Sequence, residues 1–231
     1  MIGGAINDFG GQAVTNALGL LFDSKAELLI NDRLRPHWSQ AGAIVYGTFR
    51  LIDSIPAEVL LRWDRQKHEW LDIRNLRHGV HWSQAIQYLT DNQRQEFNEE
   101  FDRCREDFLD TCHGSCILQR PELGKIVAES LLHFDGERYR MGDFVIMPNH
   151  VHFLAAFATP EAMEQQYDSW LHFTATQINR ITGVRGHLWQ QEPFDHLVRS
   201  VEQYEYYRQY IADNPTKAKL SPGQYIHRKY D

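Results

Sequence analysis

His150 and His152 stand one residue apart in the stretch MPNHVHFL, inside a segment that otherwise reads as a buried strand. Side chains alternate across a strand, so both imidazoles point to one face, about 7 Å apart, while Val151 and Phe153 point to the other. Ring nitrogens at that spacing converge on one metal ion; failing that, buried imidazoles need hydrogen-bond partners. The following residues narrow the chemistry. A His-x-His-x-His nucleotidyl site needs a third histidine where Leu154 stands. A metallo-β-lactamase run would continue with Asp and His, but Phe153, Leu154 and Ala155 follow. A two-histidine phosphoesterase needs a second His-x-Ser/Thr strand motif. Neither His78 and His81 nor His113-Gly114-Ser115 supplies one. An amidohydrolase barrel needs roughly 250 residues of alternating strands and helices, which this pattern does not offer. The remaining partners must therefore come from a distant element.

The last helical stretch, VEQYEYYRQYIADNP, holds candidates. Tyr204, Tyr207 and Ile211 form a core stripe, whereas Tyr206, Tyr210 and Asn214 fall on a different face. A tyrosine and an amide one turn apart can face the histidine pair together; half-buried tyrosines in ordinary packing give the same spacing. The other metal-like stretch, CHGSC with Cys112, His113 and Cys116, has no second ligand pair at zinc-site spacing and reads as small buried thiols at a helix end. With Cys104 the cysteines number three, which argues against a disulfide framework.

Around these residues the pattern predicts strands at 43–51, 138–148 and 150–157, and helices at 54–71, 93–112, 121–134 and 161–182. Ser54 is expected to cap the first helix, with Pro56 in its first turn. The second should bury Phe97, Phe101, Cys104 and Phe108, leaving its acidic outer face solvated. The helix at 161–182 should bury Met163, Tyr167, Trp170, Thr174, Ile178 and Ile181. A short strand region, LWQQEPFDHLVR, leads to a final helix over about 201–213, expected to stop near Pro215. The repeated HWSQ, at 37–40 and 81–84, has unmatched flanks and reads as coincidence. The element order predicts an α+β fold, an antiparallel sheet with helices packed on it.

Composition bounds the rest. The 231 residues are 42% hydrophobic and 12% aromatic, which favours a folded core. No apolar run reaches the roughly 18 residues of a spanning helix, and the first 25 residues lack a basic n-region, so a cytoplasmic protein without a membrane association is expected. The formal net charge is −7, and all of the surplus lies in residues 90–137, where 12 acidic side chains face 5 basic ones. The tail carries Lys217, Lys219, Arg228 and Lys229, leaving room for a local basic surface.

MPNHVHFL, then LWQQEPFDHLVRS, then YRQYIADNPTKAKL, in that order, resemble the motifs of the IS200-like single-tyrosine (Y1) transposases of the HUH endonuclease group, closest to the branch associated with repetitive extragenic palindromes (REP). The resemblance runs over roughly 43–220. It implies a ferredoxin-like or RRM-like sheet with the histidines on its central strand. It implies a Mg²⁺ or Mn²⁺ ion held by His150, His152 and Asn214, and Tyr210 as the nucleophile that cuts single-stranded DNA beside a hairpin, through a 5′-phosphotyrosine. Tyr206 is the closest rival. Arg180, Arg185, Arg199, Arg208 and Lys217 are the expected DNA contacts; Trp189 is expected in the core. Residues 36–220 would form the transposase domain with a helical insertion at about 78–120, between a peripheral segment at 1–35 and a tail at 221–231. Leu171 stands where the family often has a basic residue. A hairpin-binding protein that does not cut, and a metal-dependent phosphoesterase, are the other readings. Monomer and homodimer both remain compatible with the sequence.

Overall fold

The computed structural model describes residues 18–27, 29–32, 36–191 and 193–230. Strands β1 (Leu29–Asp32) and β2 (Pro36–Ser39) pair as a small antiparallel ribbon. The main sheet begins with β3 (Ile44–Arg50). Helices α1 (Ala57–Ile73), α2 (Trp82–Ala85) and α3 (Asp91–Leu109) then intervene before α4 (Pro121–Leu132). After α4 come β4 (Tyr139–Ile146), β5 (His150–Phe157), α5 (Pro160–Thr182), β6 (Phe194–Leu197), α6 (Val201–Lys217) and β7 (Ile226–Arg228). The five-stranded sheet has the order β6-β3-β5-β4-β7, with every neighbouring pair antiparallel. With α1–α3 set aside, β3-α4-β4-β5-α5-β6 is two interleaved βαβ units, the ferredoxin-like arrangement. The expected α+β class and sheet are both present, and β5, which carries the histidines, is its central strand.

Alternation along β5 divides the molecule. Val151, Phe153, Ala155 and Phe157 turn to the face covered by α4 and α5, where Leu123, Val127, Leu131, Tyr167 and Trp170 complete the larger core. Leu154 and Ala156 turn to the opposite face, where they pack with Tyr46, Tyr204 and Ile211. His150 and His152 share that second face by period-two alternation. Leu18 is completely buried in the second core, and Leu20 bridges Ala43. Trp189 lies in the larger core as expected, its indole N–H donated to Thr174 at 2.9 Å.

Four details differ from the sequence reading. Ser54 does not cap α1; Pro56 occupies the N-cap. In α3 the inward stripe is Phe97, Phe101, Arg105 and Leu109, a strict step of four, so Cys104 is exposed and Arg105 is buried in its place. Ile181, in the last turn of α5, is 51% exposed; Gly183 ends the helix in the left-handed region (φ 72°). Helix α6 continues through Pro215 to Lys217. The bias of a pre-proline residue against helix is overridden at Asn214, whose side chain is anchored to Asp110 and whose carbonyl accepts Ala218 N–H at 3.0 Å. The two HWSQ segments fall in unlike structures, one in a strand and one around the start of α2.

Gly47 makes the close packing of β3 on β5 possible. It lies directly opposite Phe153, whose ring crosses it so closely that a β-carbon at Gly47 would overlap the ring. Replacement by alanine must displace a fully buried phenylalanine in the central strand. Gly47→Ala is expected to lower the unfolding free energy by about 1–3 kcal/mol in urea titration; an unchanged midpoint would show that the ring has room to move.

Candidate metal and tyrosine site

The second face of β5 presents His150 and His152 side by side, their ring centroids 4.6 Å apart and both rings fully buried. Strand register explains the partners of His152. Thr48 lies directly across from it on β3, and Tyr46 is one pleat further on the same face. Both hydroxyls reach His152 Nδ1, Tyr46 at 2.7 Å and Thr48 at 2.9 Å. A hydroxyl can donate or accept, so this pair satisfies either tautomer.

Helix α6 brings Asn214 and Tyr210 to the same place. Asn214 is fully buried, and the Tyr210 ring stands edge-on to His152 with centroids 5.3 Å apart. Tyr206, the rival, is 63% exposed and stacks on the outer side of Tyr210. Tyr204 and Ile211 are buried and Tyr207 lies against Tyr46, so the stripe expected from spacing is the packing stripe.

Helix α3 covers this assembly with its acidic side, which corrects the expectation of a purely solvated outer face. Glu106 Oε2 lies 3.3 Å from the Tyr210 hydroxyl and 3.5 Å from His152 Nε2, so one oxygen joins phenol to imidazole. Asp110 Oδ1, one turn later, lies 3.3 Å from the same hydroxyl and accepts Asn214 Nδ2–H at 3.0 Å. That bond turns Asn214 Oδ1 inward, where it has no hydrogen-bond partner; His150 Nε2 and His152 Nε2 have none either. Among the described residues, Asp110, His150 and His152 can each offer a ligand atom, these atoms lying within 4.8 Å of one another. Three buried polar atoms without hydrogen-bond partners beside a carboxylate form a set that a cation satisfies, and two imidazole nitrogens with amide and carboxylate oxygens suit a divalent ion. The residues present therefore fit the expected metal.

Burial and neighbouring charge set the protonation states. Burial, with His152 beside it, holds His150 well below the usual imidazole range. Burial, then the Arg105 and Lys217 cations, push His152 down to about 3. Burial lifts Asp110 to about 6, against the pull of Asn214 and Lys217. Tyr210 is raised by burial and then by the carboxylates of Glu106 and Asp110, so it is a protonated phenol at neutral pH. Arg105 stays with Glu106 at 3.4 Å and Asp102 at 3.2 Å, and it stacks on Phe194 of β6 at 3.4 Å.

Of the expected DNA contacts, Lys217 is at the site, its ammonium 4.1 Å from the Tyr210 ring centroid. Arg208 is committed to Asp143 at 3.0 Å and to the Tyr230 carbonyl at 2.9 Å. Arg199 is exposed near Phe22. Arg180 and Arg185 are exposed at the end of α5, which packs on the opposite face of the sheet from the histidines. The sequence reading missed Glu106, Asp110, Tyr46 and Thr48. Glu106 and Asp110 are four apart and so share a helical face, but nothing local reveals that this face meets α6.

No family model and no curated protein matches this chain. Among solved structures it is similar to a REP-associated tyrosine transposase bound to a REP hairpin, at 11% identity, with a TM-score of 0.42 over 84% of this chain and 76% of that one. No helix among the described residues is long and apolar enough to cross a membrane.

The two imidazoles are neutral when folded and take up protons on unfolding. Their stabilising effect is complete above the ordinary value of 6.5 and is lost as pH falls toward about 3. Asp110 acts oppositely, stabilising the fold at low pH and losing that effect as pH rises through about 6. The metal-free protein should therefore lose stability more steeply on acidification below about pH 6 than a His150→Gln/His152→Gln variant. The excess slope should approach about 2.7 kcal/mol per pH unit in urea titrations. Equal slopes would contradict buried, neutral imidazoles.

Proposed function

We propose that this protein is a metal-dependent transposase-like endonuclease that cuts and rejoins single-stranded DNA beside a hairpin, with Tyr210 as nucleophile. The observation that carries this reading is the convergence of a buried phenol, a strand-borne histidine pair and a buried amide on one point of the sheet. Two of the three motifs that resemble the Y1 transposases supply these residues, the first His150 and His152, the third Tyr210 and Asn214.

His150, His152 and Asn214, joined by Asp110, would hold Mg²⁺ or Mn²⁺. When bound, the ion polarises the scissile phosphate and offsets the charge that develops during displacement. The chain's own residues do the rest. Tyr210 gives its proton to Glu106 Oε2, the oxygen that also faces His152. The phenolate oxygen bonds to phosphorus as the bond to the 3′-oxygen breaks, and that oxygen leaves as a 3′-hydroxyl after taking a proton from solvent. The phosphotyrosine ester keeps the bond energy, so a 3′-hydroxyl can reverse the step and rejoin DNA without a nucleotide cofactor. Lys217, against the Tyr210 ring, and Arg199 would meet phosphates, with Arg180 and Arg185 contacting flanking DNA if it wraps the sheet edge; Arg208 would first have to leave Asp143. Both imidazoles are fully buried beneath α3 and α6, so DNA must displace α3 to reach them. That closure favours one second reading, a hairpin-binding protein that does not cut.

Protein, Mn²⁺ and a hairpin oligonucleotide with single-stranded flanks should give a covalent adduct on a denaturing gel. Tyr210→Phe or excess chelator should abolish it, and Tyr206→Phe should leave it intact. Binding with no adduct selects the second reading. An adduct that survives Tyr210→Phe would assign the nucleophile elsewhere.

A further inference from the structure

His150 makes one hydrogen bond that the chemistry above does not use. Its Nδ1 lies 2.7 Å from Asn149 Oδ1. Asn149, the residue between Pro148 and His150, is fully buried, and its Nδ2 lies 2.8 Å from the backbone carbonyl of His113. That carbonyl belongs to the loop after α3, far away in sequence. We infer that Asn149 is a positioning residue: through it, the loop after α3 fixes the tautomer of His150, so that Nε2 faces the proposed ion as a bare lone pair. The inference rests on the metal-site reading of His150.

A backbone carbonyl only accepts, so the Asn149 group facing His113 must be its NH₂, and Asn149 Oδ1 must face His150. An amide oxygen also only accepts, so His150 Nδ1 must carry the hydrogen. A neutral imidazole has one N–H, which leaves Nε2 without one. The rival places the hydrogen on Nε2 and donates it to the Asn214 amide oxygen. Yet Nε2 and Asn214 Oδ1 make no hydrogen bond. The rival would also set Asn149 Oδ1 against a bare Nδ1. Both tautomers are neutral, so the choice involves no change of charge.

The loop is built to hold that carbonyl still. Ser115 N–H donates to Asp53 Oδ2 at 2.7 Å, and Leu118 N–H donates to the Pro148 carbonyl at 3.1 Å. Cys112 and Cys116 both adopt left-handed backbone, at φ 51° and 50°. Gly114 between them, at φ 92°, has no room for a β-carbon, which would stand 2.5 Å from the Asp53 carbonyl oxygen. His152 has no such anchor, because its two hydroxyl partners accept either tautomer. The pair is thus asymmetric: His150 is set from the backbone, whereas His152 can adjust.

The test needs neither DNA nor turnover. Nitrogen-15 spectra of metal-free, histidine-labelled protein report the protonated nitrogen of each ring, with the His150 signal assigned by its absence in His150→Gln. The expected result is the Nδ1–H tautomer for His150; the Nε2–H tautomer would overturn the inference even if DNA cleavage is found. Mn²⁺ titration of Asn149→Ala should show roughly 10–100-fold weaker binding than wild type, and undiminished affinity would equally overturn it. If that variant does not fold, the wild-type spectrum still decides. Failure of the transposase reading is separate: there, the spectrum and affinity loss would stand while the Tyr210-dependent adduct failed to form.

Discussion

The site depends on one constraint, the burial of polar atoms that have no hydrogen-bond partner. His150 Nε2, His152 Nε2 and Asn214 Oδ1 are all withdrawn from water and all without a hydrogen-bond partner. Each such group costs about 1–3 kcal/mol when left unpaired. The surroundings do not relieve this cost; they maintain it. Asp110 draws the Asn214 NH₂ away so that its oxygen faces inward, and Asn149 does the same for His150 from the other side. A fold that merely buried two histidines would have turned those amides to donate to them.

The acidic helix is the second consequence. A segment that carries the chain's whole surplus of negative charge is a poor neighbour for DNA, and α3 lies directly over the histidines. It is anchored there by Arg105, buried between two carboxylates and the Phe194 ring, and by the approach of Asp102 to His196 at 3.4 Å. The contacts at the C-terminal end of α3 all run to the site: Glu106 to Tyr210 and His152, and Asp110 to Tyr210 and Asn214. In the proposed mechanism a cation among these groups would turn the same carboxylates from a repulsive cluster into a ligand and a proton acceptor. The hydroxyl of Tyr210 is meanwhile held by two acceptors while it has one proton to give.

Residues that announce themselves by local periodicity were legible in the sequence. The His-Val-His pair had to share a strand face because strands alternate, and the spacing of Tyr204, Tyr207 and Ile211 marked the packing stripe of α6, whereas Tyr210 and Asn214 stood out only through the family resemblance. The antiparallel sheet followed from the order of elements. What stayed hidden depends on contacts distant in sequence. Glu106 and Asp110 sit 104 residues before their partners Tyr210 and Asn214, on a helix whose composition reads as solvated. Arg105 reads as surface until its aromatic neighbour arrives from β6. The run of α6 past Pro215 is set by the tie from Asn214 to α3, which outweighs a local preference.

Anomalous diffraction from crystals grown with Mn²⁺ tests the central claim most directly, because it locates the ion without reference to activity. One strong peak is expected in coordination contact with His150 Nε2 and His152 Nε2 and with oxygens of Asn214 and Asp110, beside the Tyr210 hydroxyl. A structure at saturating Mn²⁺ with no peak there, or with the two imidazole nitrogens turned to protein donors instead, would contradict it.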